Sequence, residues 1–439
     1  MSWAGPYQFS IGKGSSASES QAVVHDPSRP TLVCLSHLRW GFVYQRPQHL
    51  IARFAREWNV IYVEEPLVSD APAPWLETRI EEGVTVVVPR HPAHCSGDAL
   101  ITLQRGLLDA LLATRPGSQR VLWYYTPMAL PFSDHLRADL VVYDCMDELS
   151  AFRGAPPDLL AFERSLLQRA DLVFTGGYSL YEAKRDRHPS VHPFPSSVDV
   201  EHFGRARLPQ QDPVDQLAIP RPRLGFYGVI DERFDIDLLA RVARERPEWH
   251  FVMVGPVVKI DPAELPQAAN IHWLGPKTYD ELPHYLSGWQ VALMPFALNE
   301  STRFISPTKT PEYLAGGCPV VSTPITDVVR TYGDTGVVRI AGTPDEFIVA
   351  CERALDDSAD PGALLATADA VLQEMSWDQT WLLMKEKMQC AMADWKSDKQ
   401  NWPRPVAAVP SFGQRRPHAS PLENGASTTS SSEQGLPAV

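Results

Sequence analysis

Short apolar runs alternate with amphipathic segments along most of this chain, and no other feature restricts its fold as strongly. The first unit has an apolar run at residues 31–36, a helical pattern at 47–58 and a second apolar run at 59–64. A strand, a helix and a strand in that order form a parallel β-α-β unit. Further apolar runs follow at residues 84–88, 121–125, 139–143 and 171–175. The sequence therefore predicts a parallel sheet covered by helices.

The same alternation begins again after a segment at residues 208–222 that is rich in proline and polar residues. A helix is expected from Pro307, and the other apolar or helical patterns lie at residues 224–230, 236–246, 250–254, 271–274, 291–294 and 319–323. We therefore expect an α/β protein with two doubly wound domains joined by a linker. Such sheets bind ligands at the carboxyl ends of their strands, so the cleft between the domains is the expected site.

Changes in composition give the predicted boundaries. They are a disordered tail at 1–29, a first domain at 30–207, a linker at 208–222, a second domain at 223–375, a helix at 376–396 and a disordered tail at 397–439. Both tails are rich in small and polar residues and lack apolar periodicity, which is typical of disorder. Ser376 is expected to be the N-cap of the last helix.

Charge and composition exclude several classes of protein. The 439 residues include 53 acidic and 40 basic side chains, a net charge of −13, so sequence-independent binding to nucleic acid or anionic lipid is not expected. Six cysteines occur without a C-x-x-C pair, which argues against a zinc site or a disulfide framework. No run approaches the roughly 18 apolar residues of a membrane span, and residues 1–26 lack the apolar core of a signal peptide. We therefore expect a cytoplasmic protein.

The segment that begins at Ser306 has the features of an anion site. Ser306 is a suitable N-cap and Pro307 a suitable first helical residue. The backbone N–H groups of Thr308, Lys309 and Thr310 would then face the strand ends, where the helix dipole favours a negative charge.

Two charged side chains extend this predicted site. Lys309 adds a positive charge, and Glu312 lies three residues later on the same helix face, where it can accept hydrogen bonds from ligand hydroxyls such as those of a ribose. One helix would then hold a sugar and its phosphates. The alternative is a capped surface helix with a solvated pair of Lys309 and Glu312.

A longer motif includes these residues. The sequence from Ser306 to Thr323 reads Ser-Pro-Thr-Lys-Thr-Pro-Glu-Tyr-Leu-Ala-Gly-Gly-Cys-Pro-Val-Val-Ser-Thr, and it resembles the nucleotide-sugar-binding motif of bacterial GT-B glycosyltransferases of the family 1 and family 4-like group. Shorter similarities follow one another in the family's order at residues 36–49, 143–148, 170–175, 197–203 and 224–228. The set is similar to bacterial transferases of cell-surface polysaccharide assembly, including those of the teichuronic acid type.

This resemblance implies a GT-B architecture, in which two Rossmann-like domains face each other across a cleft. It implies a glycosyltransferase that moves a sugar from a nucleoside-diphosphate donor, expected to be a UDP-sugar, to a hydroxyl of a glycan or lipid-linked acceptor. Such an enzyme would work in polysaccharide biosynthesis at the inner surface of the membrane. No metal or other cofactor is expected, since GT-B enzymes act on the leaving diphosphate with basic side chains and a helix dipole. Two alternatives are a nucleotide-sugar epimerase of similar fold and an inactive protein that binds a nucleotide sugar or a glycan.

The resemblance also implies a role for an arginine of the second domain. Arg233 falls near the position where related enzymes place an arginine on the donor pyrophosphate. With Lys309 it would form a cationic clamp that offsets the charge of the leaving group. The alternative is an ion pair of Arg233 with Asp231 or Asp235.

One position departs from the family pattern. Many members carry two glutamates, of which Glu312 would be the second, and Phe304 stands where the first would fall. Glu300 lies nearby but out of register. Because the first glutamate contacts the donor sugar in those enzymes, the identity of the donor is left open.

Two carboxylates follow the predicted strand at residues 139–143. Asp144 and Asp147 are candidates for the base that accepts the proton of the acceptor hydroxyl, if partial burial raises the pKa. Asp147 is favoured because it lies beyond the strand, where its side chain can reach the cleft. The alternative is that these carboxylates cap the next helix.

Four residues after the first strand are candidates for an acceptor or phosphate loop: His37, Arg39, Gly41 and Arg46. The loop that follows the first strand brings backbone close to the donor phosphates in GT-B enzymes, which is the reason for including Gly41. This loop lacks a run of glycines, and His37 is alternatively an ordinary loop histidine.

Overall fold

The structure is a computed structural model, and it describes residues 25–115 and 119–398. The predictions of disorder at residues 1–24 and 399–439 concern residues outside the described ones. Residues 25–29 belong to the predicted N-terminal tail but are held in place, because the Asp26 amide donates to the Asn59 side chain at 3.1 Å and the Asn59 amide group donates to the Asp26 carbonyl at 2.6 Å.

Nine of the described strands form the first sheet. They are β1 Thr31–Leu35, β2 Asn59–Val63, β3 Leu67–Ser69, β4 Trp75–Glu81, β5 Val84–Pro92, β6 Arg120–Tyr124, β7 Leu140–Cys145, β8 Leu172–Thr175 and β9 Val191–Pro193. The order is β3-β5-β2-β1-β6-β7-β8-β9, all parallel, and β4 pairs antiparallel with β5. The strands predicted from apolar runs are confirmed. Strand β4 escapes the prediction because it is mostly half-exposed and polar, and its antiparallel pairing makes this sheet mixed.

Helices cover both faces of the first sheet. They are α1 Arg46–Phe54, α2 Gly97–Ala113, α3 Leu130–Ser133, α4 Leu159–Arg169 and α5 Tyr178–Lys184. The next helix, α6 Val200–Gly204, packs instead with the core of the second sheet through Phe203. Side chains of β1 alternate between two apolar clusters: Leu32 and Cys34 face one, and Val33 and Leu35 face the other. Both faces of the strand are buried, which explains its uninterrupted apolar sequence.

The second sheet contains six of the described strands. They are β10 Arg223–Tyr227, β11 His250–Val254, β12 Ile271–Gly275, β13 Val291–Met294, β14 Val320–Ser322 and β15 Val338–Ile340. The order is β12-β11-β10-β13-β14-β15, and every pairing is parallel. The helices of this part are α7 Val214–Leu217, α8 Ile236–Glu245, α9 Leu282–Leu286, α10 Lys309–Ala315, α11 Thr326–Tyr332, α12 Pro344–Ala359 and α13 Gly362–Leu372. The order of strands and helices is that of a doubly wound domain, as predicted.

The predicted linker at residues 208–222 packs against the second sheet and contains α7. The Gln216 amide group donates to the Tyr285 carbonyl at 3.1 Å, and its oxygen accepts from the Trp289 indole at 2.8 Å. Arg223 also forms an ion pair with Asp212 at 2.8 Å. These contacts fix the segment instead of leaving it as a free connection.

The last described helix, α14 Trp377–Asp398, returns to the first sheet. Ser376 is its N-cap as predicted, because the Ser376 hydroxyl accepts the Gln379 amide at 3.1 Å. The buried face of α14 joins one apolar cluster of the first sheet through Trp377, Trp381, Met384, Met388 and Met392. Among the helices of the described residues, none combines the length and the apolar character that a membrane crossing requires.

Candidate active site

Helix α10 begins at Lys309, two residues later than predicted. A helix that began at Pro307 would place Pro311 where its missing N–H should bond to the carbonyl of residue 307. With Lys309 first, Pro311 falls in the first turn, where no amide needs an intrahelical partner. Thr308 therefore takes the N-cap position, and its side chain makes no capping hydrogen bond.

This shift changes the roles of Ser306 and Thr310. Ser306 is not the N-cap: its hydroxyl accepts the Ser196 amide at 3.4 Å, and its carbonyl accepts the Ser196 hydroxyl, so it joins the two halves of the chain. Thr310 is fully buried, and its hydroxyl has no hydrogen-bond partner among the described residues. The prediction of Ser306 as the N-cap is therefore wrong, whereas the predicted role of the Thr310 backbone N–H in an anion site stays a prediction.

Lys309 extends across the end of β10. A Cβ atom on Gly228 would lie 2.0 Å from Lys309 Cε, so only glycine leaves room for this side chain. The ammonium lies 5.8 Å and 6.0 Å from the ring centroids of Phe226 and Phe296. Within the described residues it forms no ion pair or hydrogen bond. Burial lowers its pKa, and Glu312 opposes that shift.

Glu312 lies one helical turn along the same face, as predicted, and its side chain is buried. Burial raises the pKa of Glu312 to about 7, although Lys309 and the hydroxyls of Tyr227 and Thr308 lower it. The carboxylate is therefore poised between its two protonation states near neutral pH. This buried position contradicts the alternative of a solvated surface pair.

Arg233 lies in the loop after β10. Its guanidinium donates to both oxygens of the buried Asp231 carboxylate, at distances from 2.7 to 3.1 Å. It also lies 5.3 Å from the ring centroid of Phe152, a residue of the first sheet's side of the molecule. The ion pair with Asp231 was the alternative interpretation, and it fixes the guanidinium in an orientation where it also interacts with Asp147.

Asp147 lies in the turn after β7. Burial raises the pKa of Asp147 to about 6, and Arg233, Arg46 and Lys309 oppose the shift. Because Arg233 and Lys309 belong to the second sheet's side, this interaction brings the predicted base and the predicted cations to one cleft. The structure thus assembles Asp147, Arg233, Lys309 and Glu312.

Asp144 is not in this group. It is the fifth residue of β7, and it is fully buried in an ion pair with Arg46, whose Nη2 and Nε lie 2.9 and 3.1 Å from the two carboxylate oxygens. The remaining Arg46 nitrogen donates to the Phe194 carbonyl at 2.7 Å. The interpretations of Asp144 as a base and of Arg46 as a loop ligand are therefore corrected, since both side chains are fully engaged inside the first domain.

The loop after β1 contributes less than expected. Arg39 donates to the Glu64 carboxylate at 3.0 Å and to the Glu65 carbonyl at 2.7 Å, which directs it toward the end of β2. Gly41 is exposed, and a Cβ atom there would meet nothing within 4 Å. Burial lowers the pKa of His37 to about 4, with a further contribution from Lys259, so this imidazole is neutral at pH 7.

Sequence reasoning missed two charged residues of the cleft, Lys259 and Glu232. The Lys259 ammonium lies 5.0 Å from the ring centroid of Phe152 and 3.6 Å from the Glu232 carboxylate. Their position after β11 and β10, at the carboxyl edge of the parallel sheet, is the signal that could have identified them.

Phe304 occupies the place of the missing glutamate, and it packs against an apolar cluster of the first sheet. Glu300 is exposed. Within residues 25–115 and 119–398, no three His, Cys, Asp or Glu side chains are grouped in a way that could hold a metal ion.

The comparison with protein families decides the class of this site. Residues 221–357, which include Arg233, Lys309 and Glu312, match the family model described as Glycosyl transferases group 1. The chain is a glycosyltransferase, and these residues are similar to a group 1 domain. The glycosyltransferase is also 28% identical over 274 residues to the putative teichuronic acid biosynthesis glycosyltransferase TuaH of Bacillus subtilis (strain 168), an alignment that covers 58% of this chain and 68% of the relative.

Solved structures with low sequence identity share the fold of this glycosyltransferase. Sucrose-phosphate synthase (tll1590) from Thermosynechococcus elongatus superposes with a TM-score of 0.61 at 15% identity, covering 83% of this chain and 100% of that one. Anabaena Alr3699/HepE in complex with UDP and glucose superposes with a TM-score of 0.59 at 12% identity, covering 82% and 99%. These similarities confirm the predicted GT-B architecture.

Proposed function

We propose that this glycosyltransferase moves a sugar from a UDP-sugar to a hydroxyl group of a glycan or lipid-linked acceptor in cell-surface polysaccharide biosynthesis. The observation that carries the proposal is the Lys309 ammonium, which is held in the cleft without a protein anion within hydrogen-bond distance among the described residues. A partly buried ammonium without a partner is costly, and an anionic ligand removes that cost.

The groups around Lys309 match the parts of a nucleoside-diphosphate sugar. Arg233 and Lys309 supply positive charge for the diphosphate, and Asp231 holds the guanidinium in place. The buried Glu312 carboxylate suits a ribose, because it can accept hydrogen bonds from two neighbouring ribose hydroxyls. The HepE structure, which contains UDP and glucose on the same fold, supports this class of donor.

The same groups support transfer. The bond between the sugar carbon and the diphosphate oxygen breaks, and the electron pair leaves with the diphosphate, whose charge Lys309 and Arg233 offset. A new bond forms between that carbon and the acceptor oxygen. The acceptor proton passes to Asp147, whose raised pKa of about 6 suits a base that is ionised at neutral pH.

Titration of the purified protein with UDP tests the donor site. Lys309→Ala removes a charge-assisted contact, so UDP affinity should fall by roughly 10- to 150-fold, equivalent to about 1.5–3 kcal/mol. Lys385→Ala is the matched control, because Lys385 pairs with Glu57 on the first sheet's side. Equal UDP affinity in wild type and a folded Lys309→Ala protein would remove Lys309 from the donor site.

Incubation with UDP-glucose separates the remaining possibilities. Release of UDP in the presence of an acceptor glycan, or its slower release by hydrolysis, is the outcome expected of a transferase. Formation of UDP-galactose without UDP release would indicate an epimerase. UDP-glucose that binds and is recovered unchanged would indicate an inactive binding protein.

A further inference from the structure

The turn that carries Asp147 is held by a buried ion network outside the cleft. Glu148, the next residue, accepts from the Lys184 ammonium at 2.7 Å. Lys184 is the last residue of α5, and its side chain is fully buried. The same ammonium lies 2.6 Å from the carboxylate of Glu163 on α4. The turn is therefore connected to two helices, α4 and α5, which pack on the first sheet.

The network around Glu163 is complete. Its carboxylate accepts the Tyr143 hydroxyl at 3.1 Å, and Arg187 lies 3.5 Å from its second oxygen. Glu148 in turn accepts the Ser150 hydroxyl at 2.6 Å. Every charge of the cluster thus has an opposite charge within salt-bridge distance.

A second contact fixes the same turn from the start of α5. Gly176 donates its amide to the Cys145 carbonyl at 2.9 Å, and a Cβ atom on Gly176 would lie 2.3 Å from the Met146 carbonyl oxygen. The backbone before Asp147 therefore packs directly on the backbone that leads into α5. The beginning and the end of this one helix hold the two sides of the turn.

Stability alone is a weak reason for such a cluster. Replacing a buried ion pair with apolar residues of similar volume is often neutral or stabilising, because the desolvation of the charges offsets their attraction. A methionine at position 184 would fill similar space without that cost. What the ions supply is direction, since the Glu148 carboxylate is held on the Lys184 ammonium of α5.

We propose that Lys184 is a positioning residue for Asp147: by holding Glu148 against α5, it orients the turn so that the Asp147 carboxylate faces Arg233 and Lys309. This inference rests on the proposed function of Asp147 as the base. Without Lys184, Glu148 becomes an unpaired carboxylate next to the base, and the turn loses its connection to α5.

The test follows the titration of Asp147 directly by carbon NMR of protein with labelled aspartate carboxyl groups. The signal of Asp147 is assigned by its loss in Asp147→Asn. The charged groups that face this carboxylate are Arg233, Arg46, Asp231 and Lys309. In Lys184→Met the Asp147 carboxylate should lose part of its interaction with Arg233 and Lys309 and should gain an unpaired Glu148 carboxylate beside it, so the midpoint should rise by about one pH unit. Arg187→Met is the matched control, because Arg187 contacts Glu163 but not Glu148. In this variant the Asp147 carboxyl should titrate as in the wild type.

An unchanged Asp147 midpoint in a folded Lys184→Met protein would overturn the inference. If that variant does not fold, Glu148→Gln replaces it, because this change weakens the contact to the turn and keeps the pair of Lys184 with Glu163. An upward shift is again expected, because Asp147 loses part of its interaction with Arg233 and Lys309, and an unchanged midpoint again counts against the proposal. This readout does not need turnover. A failure of UDP-glucose transfer would therefore count against the proposed function, whereas an unchanged titration would count against Lys184.

Discussion

Glu312 is a buried carboxylate with a pKa of about 7, so a ligand that donates hydrogen bonds to it can change its protonation state near neutral pH. Glu312→Gln replaces one acceptor oxygen by an amide donor, so one ribose hydroxyl loses its partner. UDP affinity should fall by roughly 5- to 150-fold, equivalent to about 1–3 kcal/mol. Calorimetric titration measures the change. Glu352→Gln is the control, since Glu352 pairs with Arg246 on an exposed surface; equal affinities in all three proteins would contradict the role of Glu312.

Asp147 gives a prediction about activity and pH. Asp147→Asn should lower UDP release from UDP-glucose by about 100- to 10,000-fold, because the amide cannot accept a proton. UDP affinity should persist. In the wild type, turnover should decline below pH 6, where the carboxyl becomes protonated. Rates of UDP release by the wild type and by Asp147→Asn across pH 4.5–9 test both statements. A wild-type rate that stays constant below neutral pH would mean that another group accepts the acceptor proton.

The same shift has a consequence for stability. The pKa of Asp147 is raised from 3.8 to about 6 in the folded protein, so its favourable contribution is complete below pH 4 and is lost as the pH rises through 6. Asp147→Asn should therefore change the free energy of unfolding more favourably at pH 8 than at pH 4. Asp144→Asn is the contrast, because it weakens the buried pair with Arg46 and should destabilise at both pH values.

At the scale of elements, the meeting of β10 with α10 forms the donor side of the cleft. Gly228→Ala would place a methyl group 2.0 Å from Lys309 Cε at a backbone φ of +140°, so the lysine must move. UDP affinity should fall by at least about tenfold, with a loss of roughly 1–3 kcal/mol of stability. Gly41→Ala is the matched control, since nothing lies within 4 Å of its Cβ position. Normal UDP binding by Gly228→Ala would contradict the described path of Lys309.

The elements show which features a sequence can predict. The order of the buried strands followed from apolar periodicity, because most strands of both sheets are buried on two faces, but the strands β3, β4, β9 and β15 were missed. The predicted start of α10 was wrong. Ser306 and Pro307 satisfy a local capping rule, but Pro311, four residues after Pro307, overrides it. Asp144 and Asp147 could not be separated with certainty, since the distinction depends on Arg46, which comes from a helix 98 positions earlier.

At the scale of the whole molecule, α14 makes the first sheet depend on residues that follow the second sheet. Met384 and Met388 are fully buried against the first sheet's core, whereas Leu383 on the same helix is 52% exposed. Met384→Ala should lower the free energy of unfolding by about 2–5 kcal/mol because it leaves a cavity. Leu383→Ala should change it by less than about 0.5 kcal/mol. Denaturant unfolding measures both, and equal small effects would place α14 outside the cooperative core.

The return of α14 also sets an order of events during synthesis on the ribosome. The strands of the first sheet emerge early, but the apolar face completed by residues 377–392 waits until both sheets have been translated. During that interval the nascent chain exposes a surface that includes Phe54, Trp58 and Trp123, which is the kind of surface that chaperones bind. The part of the chain made first is therefore the part that reaches its final packing last.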